Sequence, residues 1–282
     1  MARVTVVGSV NLDLVMRVPR LPVAGETITD GKFSRHPGGK GANQALAARR
    51  LGADVSLVAA VGDDETAEAA LDLLDAAGVD LSRCWIHETL PTGVAVILVD
   101  SHGENQIAVA PGANRGLTAQ ALELGGDEAV MCQLEIPIET VQAAAAATTG
   151  FFCLNAAPAR VVPREVLKRA DLVVVNETEH ATLGVDLSEV RGLVALTLGS
   201  AGATLYRHGR AVAKATPPPV EVVDAVGAGD CFVAALTVSL LEGLAPELAL
   251  RRAVVAGALA TTIEGAQPSM PTRAEVDALM VS

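Results

Sequence analysis

Aromatic side chains are scarce in this 282-residue chain, which has one Trp, one Tyr and four Phe. A slot that stacks a nucleobase between rings is therefore hard to build from its own residues. Cations are also in deficit, with 21 Lys and Arg against 33 Asp and Glu, and only four of the cations are lysines. A formal charge of −12 runs against a nucleic-acid partner, which needs clustered positive charge against phosphates. It leaves room for a phosphorylated small molecule, because backbone N–H groups and one or two cations supply the local field. The four cysteines, Cys84, Cys132, Cys153 and Cys231, show neither a C-x-x-C pair nor zinc spacing and read as buried free thiols. No basic start followed by a long apolar stretch opens the sequence, and no run reaches membrane-spanning length. The expectation is a cytoplasmic protein. Internal repeats, low-complexity tracts and linkers are absent as well, which favours a single α/β domain over residues 1–282.

What is present is a hydrophobic half arranged in alternating runs. Arg3–Gly8 reads as a buried strand with Ser9, Asn11 and Asp13 at its carboxyl end, the end that faces the ligand crevice in open α/β sheets. Short stretches at Leu14–Val18 and Glu26–Ser34, rich in strand formers, suggest an accessory sheet, joined by strands near Cys84–His87, Gly93–Val99 and Asn105–Ala110. The lid so formed would come from about 14–34 and about 85–110. Strand and helix then alternate, with helices expected at Ala42–Leu51, Asp64–Ala77, Thr118–Leu124, Ile138–Thr148 and Pro163–Arg169. That alternation implies a parallel sheet covered on both faces. A hairpin is expected across His208-Gly209, and the last third reads as helical over Gly229–Gly243, Pro246–Glu264 and from about Thr272.

The segment Glu221-Val-Val-Asp-Ala-Val-Gly-Ala-Gly-Asp230 ends a strand, turns on glycines and enters an almost wholly apolar helix. Gly227, Ala228 and Gly229 would let backbone N–H groups approach an anion at a helix start, where the dipole adds positive potential. Asp230, just inside the helix, is placed to accept a proton from an attacking hydroxyl. The same grammar also describes an ordinary capped helix start. The segment is neither a G-x-x-x-x-G-K-[S/T] loop nor a G-x-G-x-x-G turn, and on its residues alone both readings stand.

Asp224 to Asp230 resembles the D-T-x-G-A-G-D signature of the PfkB carbohydrate kinase family, and Pro37-Gly-Gly-Lys-Gly-Ala-Asn-Gln44 resembles its G-G-K-G-A-N signature. Gly8–Asp13, Gly62–Asp64, Gln133–Glu135, Asn155–Pro158, Asn176–Glu179, Thr197–Ser200 and Gly265–Ser269 extend the likeness in order along nearly the whole chain. The resemblance implies a three-layer α/β sandwich, with a mostly parallel central sheet flanked by helices and a small β-sheet lid. It also implies an ATP-dependent sugar kinase acting on the O5 hydroxyl of D-ribose. Deoxyribose, a ketohexose or a nucleoside would be the alternative acceptors, and a silent sugar-binding regulator the alternative from another class.

By the same resemblance, Asn11, Asp13, Gly39, Lys40, Gly41, Ala42, Asn43 and Glu135 would bind the sugar beside Asp230. Amides and carboxylates suit polyol recognition because each engages one or two hydroxyls. Nucleotide contacts would come from Asn176, Thr197, Leu198, Gly199, Ser200, Ala201, Gly202, Gly229, Asp230 and Val254. Glu179 would hold the water shell of Mg²⁺. A monovalent cation, K⁺, would sit among Asp224, Val226, Ala260, Ile263, Gly265 and Ser269. A homodimer through the lid sheets is implied too. Three departures stand out: Ala225 in place of the signature threonine, Ala156 where proline is frequent, and a short stretch between Glu179 and Thr197.

Overall fold

The structure is a computed structural model describing residues 1–124, 129–183 and 187–281. In chain order its elements begin β1 (Arg3–Val7), β2 (Asn11–Arg17), β3 (Lys32–Gly38), α1 (Lys40–Arg50), β4 (Asp54–Gly62), α2 (Glu65–Ala76), β5 (Cys84–His87), β6 (Gly93–Val99) and β7 (Asn105–Ala110). The middle comprises β8 (Ala129–Cys132), α3 (Ile138–Ala147), β9 (Phe151–Asn155), α4 (Arg164–Arg169), β10 (Leu172–Asn176), α5 (Glu177–Leu183) and β11 (Leu193–Thr197). The last part holds β12 (Ala203–Arg207), β13 (Arg210–Ala215), α6 (Ala228–Leu241), α7 (Pro246–Leu259) and α8 (Arg273–Val281).

Nine strands form one sheet in the order β13-β12-β11-β10-β9-β8-β1-β4-β5. From β11 to β5 the neighbours are parallel, and β12 and β13 close one edge antiparallel. Val4 and Val6 of β1 face a cluster with α1, α6 and α7, whereas Val7 faces a second cluster with α3 and α4. Apolar residues thus cover both faces, which is why the inner strands read as continuous hydrophobic runs rather than alternating ones. The β12–β13 hairpin turns on His208 and Gly209, with φ of 50° and 73°, the double left-handed geometry of a tight two-residue hairpin.

A second, four-stranded sheet has the order β3-β2-β6-β7. Val15, Ala95 and Ile97 make its own small apolar cluster. Alternation along β2 sends Asn11, Asp13, Val15 and Arg17 to one face and Leu12, Leu14 and Met16 to the other, by the two-residue period of a strand.

Several expectations differ from what is observed. Asn11 and Asp13 do not sit at the carboxyl end of β1. They open β2, and so belong to the small sheet. The expected strand at Glu26–Ser34 lies later, at Lys32–Gly38, because the pairing of β3 is set by β2 through Asn11↔Gly38 to Arg17↔Lys32. Cys84–His87 leaves the small sheet and pairs in parallel with β4 at the edge of the large one. The Thr118–Leu124 helix shrinks to a single 3₁₀ turn at Ala119–Ala121. Helix α7 stops at Leu259 rather than Glu264: the Thr261 and Thr262 hydroxyls donate to the Ala258 and Leu259 carbonyls, and Gly265 takes φ 85°. These side chains satisfy carbonyls that would otherwise continue the helix.

Candidate active site

Two helix starts meet where the strands of the large sheet end. At the first, Gly39 has φ 87°, and a Cβ on Gly41 would lie 2.5 Å from the Ser9 nitrogen. Glycine at 41 lets the first turn of α1 rest directly on the chain leaving β1. At the second, Gly227 caps α6 in the left-handed region at φ 82°, and a Cβ there would meet Ala266 Cβ at 2.8 Å. A Cβ on Gly229 would meet nothing within 4 Å, so the backbone at this helix start faces open space.

Asp230 is buried in the first turn of α6. Its Oδ2 accepts a hydrogen bond from Asn43 Nδ2 at 3.0 Å, and its Oδ1 accepts one from Gln44 Nε2 at 3.0 Å. Glu135 Oε2 accepts from the Ser9 hydroxyl at 2.5 Å and from the Lys40 backbone N–H at 3.0 Å. The Asn114 amide accepts from Val10 N–H and donates to Val10 O and Asn11 Oδ1. Asn11 is thereby fixed with its oxygen occupied, leaving its own N–H groups for other partners. A Cβ on Gly38 would come within 2.3 Å of the Asp13 carboxylate, so glycine is what admits that carboxylate beside β3.

Asp13, Glu135, Glu179 and Asp230 surround one cation. The Lys40 ammonium is pushed up chiefly by Asp230, with burial opposing and Glu135, Glu179 and Asp13 adding smaller contributions. Burial, followed by the charges of Glu135 and Asp230, drives the Asp13 carboxyl from 3.8 up to about 7, and Lys40 offsets part of that rise. Glu179 is raised mainly by burial.

Asn176 and Glu179 cap α5 reciprocally: Asn176 N–H donates to Glu179 Oε2 at 2.7 Å, and Glu179 N–H donates to Asn176 Oδ1 at 2.8 Å. This is a capping box. Thr197 ends β11, and Leu198 to Gly202 form a tight turn closed by Leu198 N–H to Gly202 O. In the stretch after Glu179, residues 184–186 lie outside those described.

Asp224 stitches two loops together, its carboxylate accepting from Val226 N–H and Gly265 N–H at 3.0 Å each. Arg50, from the end of α1, donates to the carbonyls of Gln267, Pro268 and Met270. Arg17 of the small sheet donates from Nε to Glu264 at 3.0 Å. Between that sheet and these loops lies a cavity of about 390 Å³, lined among others by Asp13, His36, Ile97, Val223, Ala225 and Gly265.

The sequence-singled sugar-side residues and Asp230 therefore converge, and Lys40 couples them electrostatically to Glu179. Val254 does not join them openly: it is buried in the core of α7. Ile263 is 53% exposed. The Ser269 hydroxyl donates to Ala266 O. Among the described residues, no group of three or more His, Cys, Asp or Glu could hold a metal, and no helix is long and apolar enough to cross a membrane. Gln44, Asn114 and Gln133 contribute side chains that residue-by-residue reading missed, and Ser9, placed at the strand end by the sequence, proves to be a hydrogen-bond partner of Glu135. Gln44 and Gln133 stood inside quoted motifs, and Gln133 had the further signal of an amide following the apolar run 129–132.

An anion-accepting helix start, a buried carboxylate in its first turn and a polyol-suited set of amides and carboxylates at the strand ends define an α/β phosphotransferase with an alcohol acceptor. Residues 1–273 match the pfkB family carbohydrate kinase model. The chain belongs to that family. It is 39% identical over 294 residues to the ribokinase of Bacillus subtilis, with 99% of this chain and 100% of that one covered. Among solved structures, the ribokinase of Thermotoga maritima superimposes with a TM-score of 0.91 at 30% identity, covering 100% of both chains. Arabidopsis thaliana ribokinase complexed with ribose and ATP gives 0.84 at 32% identity over 99% of both.

Proposed function

We propose that this chain is an ATP-dependent ribokinase that transfers the γ-phosphate to O5 of D-ribose, giving ribose 5-phosphate and ADP. The carrying observation is the Asp230 carboxylate, buried at the glycine start of α6 and held by two amides of the sugar-side helix. Full-length similarity to ribokinases supports the same reading.

In this mechanism Asn11, Asp13, Asn43 and Glu135 grip the ribose hydroxyls, with the backbone of Gly39, Gly41 and Ala42 closing around them and Lys40 as the local cation. Asp230 accepts the O5 proton as the O5–phosphorus bond forms and the bond from phosphorus to the β-phosphate oxygen breaks. The N–H groups of Gly227, Ala228 and Gly229 offset charge on the transferring group. Asn176, the Thr197–Gly202 turn and apolar packing near Val254 form the nucleotide side. The small sheet acts as a lid that excludes water, which predicts little ATP hydrolysis without sugar; a high sugar-independent rate of ADP release contradicts it.

Glu179, a partly buried carboxylate, is an oxygen donor that fits Mg²⁺, a cation that keeps several of its waters. When bound it would supply charge neutralisation on the phosphates, and Glu179 is the residue that would hold its water shell. For K⁺, the donor set of Asp224, Ser269 and the carbonyls of Val226, Ala260, Ile263 and Gly265 is hard oxygen throughout, which suits such a cation. Its charge would steady the α6 start. ADP release measured across pentoses, hexoses and nucleosides, with and without potassium, tests the assignment: D-ribose gives the highest kcat/KM, and a nucleoside preference overturns it.

Phe33 and Val96, 53% and 46% exposed on the face of the small sheet opposite Asp13, support a homodimer through the lids, since large exposed apolar groups on one face mark interaction surfaces. Sedimentation gives a dimer on this reading.

Asp13 makes sugar binding depend on pH. A group raised to about 7 contributes stability that is full below the ordinary carboxylate range and is lost as pH rises through 7. Hydroxyls that donate to its ionised form bind better as that form is populated. Ribose affinity therefore rises with pH up to about 7 and then levels off, with proton release on binding below 7. Calorimetry in two buffers of different ionisation enthalpy reads both effects.

A further inference from the structure

Gln44 and Gln133 are fully buried, and neither touches the sugar-side carboxylates other than Asp230. Gln44 Nε2 donates to Asp230 Oδ1 at 3.0 Å, and Gln133 Nε2 donates to Gln44 Oε1 at 2.7 Å. We propose that Gln133 and Gln44 form a buried amide relay that sets the orientation of the Asp230 carboxylate, making both of them positioning residues for phosphoryl transfer. The proposal rests on the kinase reading above and adds to it.

A primary amide has a donor end and an acceptor end of nearly equal shape. Gln44 on its own could present either end to Asp230, and the flipped form would set oxygen against oxygen. By donating to Gln44 Oε1, Gln133 makes only the correct orientation satisfy both bonds. Asn43 holds the second carboxylate oxygen at 3.0 Å, so the plane of the carboxylate is defined from both sides. Space for the relay is reserved: a Cβ on Gly8 would lie 2.0 Å from Gln133 Oε1. That oxygen has no hydrogen-bond partner among the described residues, a cost that a purely structural pair would avoid. The bond between the two amides adds little net stability by itself, because replacing both partners of a hydrogen bond by apolar groups of similar shape is nearly neutral. The return is directional, since a base must be held within about 0.5 Å and 10–20° of its productive geometry.

The test compares wild type, Gln44→Met, Gln133→Met and the double variant in ribose-dependent ADP release. Gln133→Met, which touches neither ligand, is expected to lower kcat by about ten- to a hundredfold, as sub-ångström misplacement does, with KM for ribose and ATP within about threefold of wild type. The double variant falls no further than Gln44→Met in kcat, because Gln133 acts only through Gln44. Unchanged kcat in Gln133→Met, additive losses, or a loss confined to KM each overturn the relay. Crystal structures of Gln133→Met, or of Gln133→Ala if the methionine variant does not fold, read the carboxylate directly: a rotated Asp230 supports the relay and an unmoved one overturns it. An inactive wild type sinks the kinase reading alone, and the crystallographic arm still decides the relay.

Discussion

Asp230→Asn lowers kcat by about 10²–10⁴-fold, the usual contribution of a positioned general base, while ribose and ATP still bind. The substitution keeps shape and removes the proton acceptor, so the loss is expected in kcat rather than in KM. Asn43 and Gln44 both donate to this side chain, and asparagine can answer only one of them with an oxygen. A modest fall in melting temperature accompanies the loss, because one buried donor is left facing a donor. Calorimetric titration of ribose into the variant separates the two effects. Turnover within tenfold of wild type removes Asp230 as the base.

The second large effect is expected at Gly227. Alanine there must take φ 82°, which costs an L-residue about 1–2 kcal/mol, and its methyl would lie 2.8 Å from Ala266 Cβ and 2.9 Å from Ala266 Cα. Ala266 cannot easily give way, since the next residue, Gln267, is held through its carbonyl by Arg50. The α6 start must shift instead. Gly227→Ala therefore lowers kcat by about 10²–10³-fold, the scale set by losing one preorganised donor, and lowers the melting temperature by several degrees. Gly229→Ala is the comparison: nothing lies within 4 Å of its added carbon, so it melts like wild type while its methyl occupies the space a phosphate would enter, and turnover falls without a stability change.

Much of this site was legible because its residues act through backbone and local spacing. A glycine turn feeding an apolar helix is written contiguously from Asp224 to Leu241, and the alternation of runs announces the parallel sheet. The α6 start and the β12–β13 hairpin stand where the sequence put them, but the strand expected to lead into α6 is absent: β13 ends at Ala215 and irregular chain runs from there to Gly227. What was hidden depends on pairing between distant segments. Asn11 and Asp13 read as the end of the first strand because only three residues separate β1 from β2, and only the register with β3 and β6 reveals that they belong to the second strand. Cys84–His87 has the same composition whichever sheet it joins, and β4 decides. Gln44 and Gln133 are 89 residues apart, and no local pattern signals that their side chains meet. Glu179 is legible in two ways at once: its capping box with Asn176 is present, and a role beside phosphates does not compete with it.

The placement of Asn11 and Asp13 on β2 carries a consequence for how ribose affinity should be understood. Asn43, Glu135 and Asp230 belong to the large sheet and its helices, whereas Asn11 and Asp13 travel with the small one, joined to β1 by Gly8, Ser9 and Val10. On the proposed reading, the binding pocket would be assembled by closure of the small sheet rather than standing open in advance. Its apparent dissociation constant would then be the intrinsic one divided by the fraction of molecules already closed. Changes at the three-residue connection, far from any hydroxyl, would then retune how tightly the sugar is held by altering how often the two halves meet.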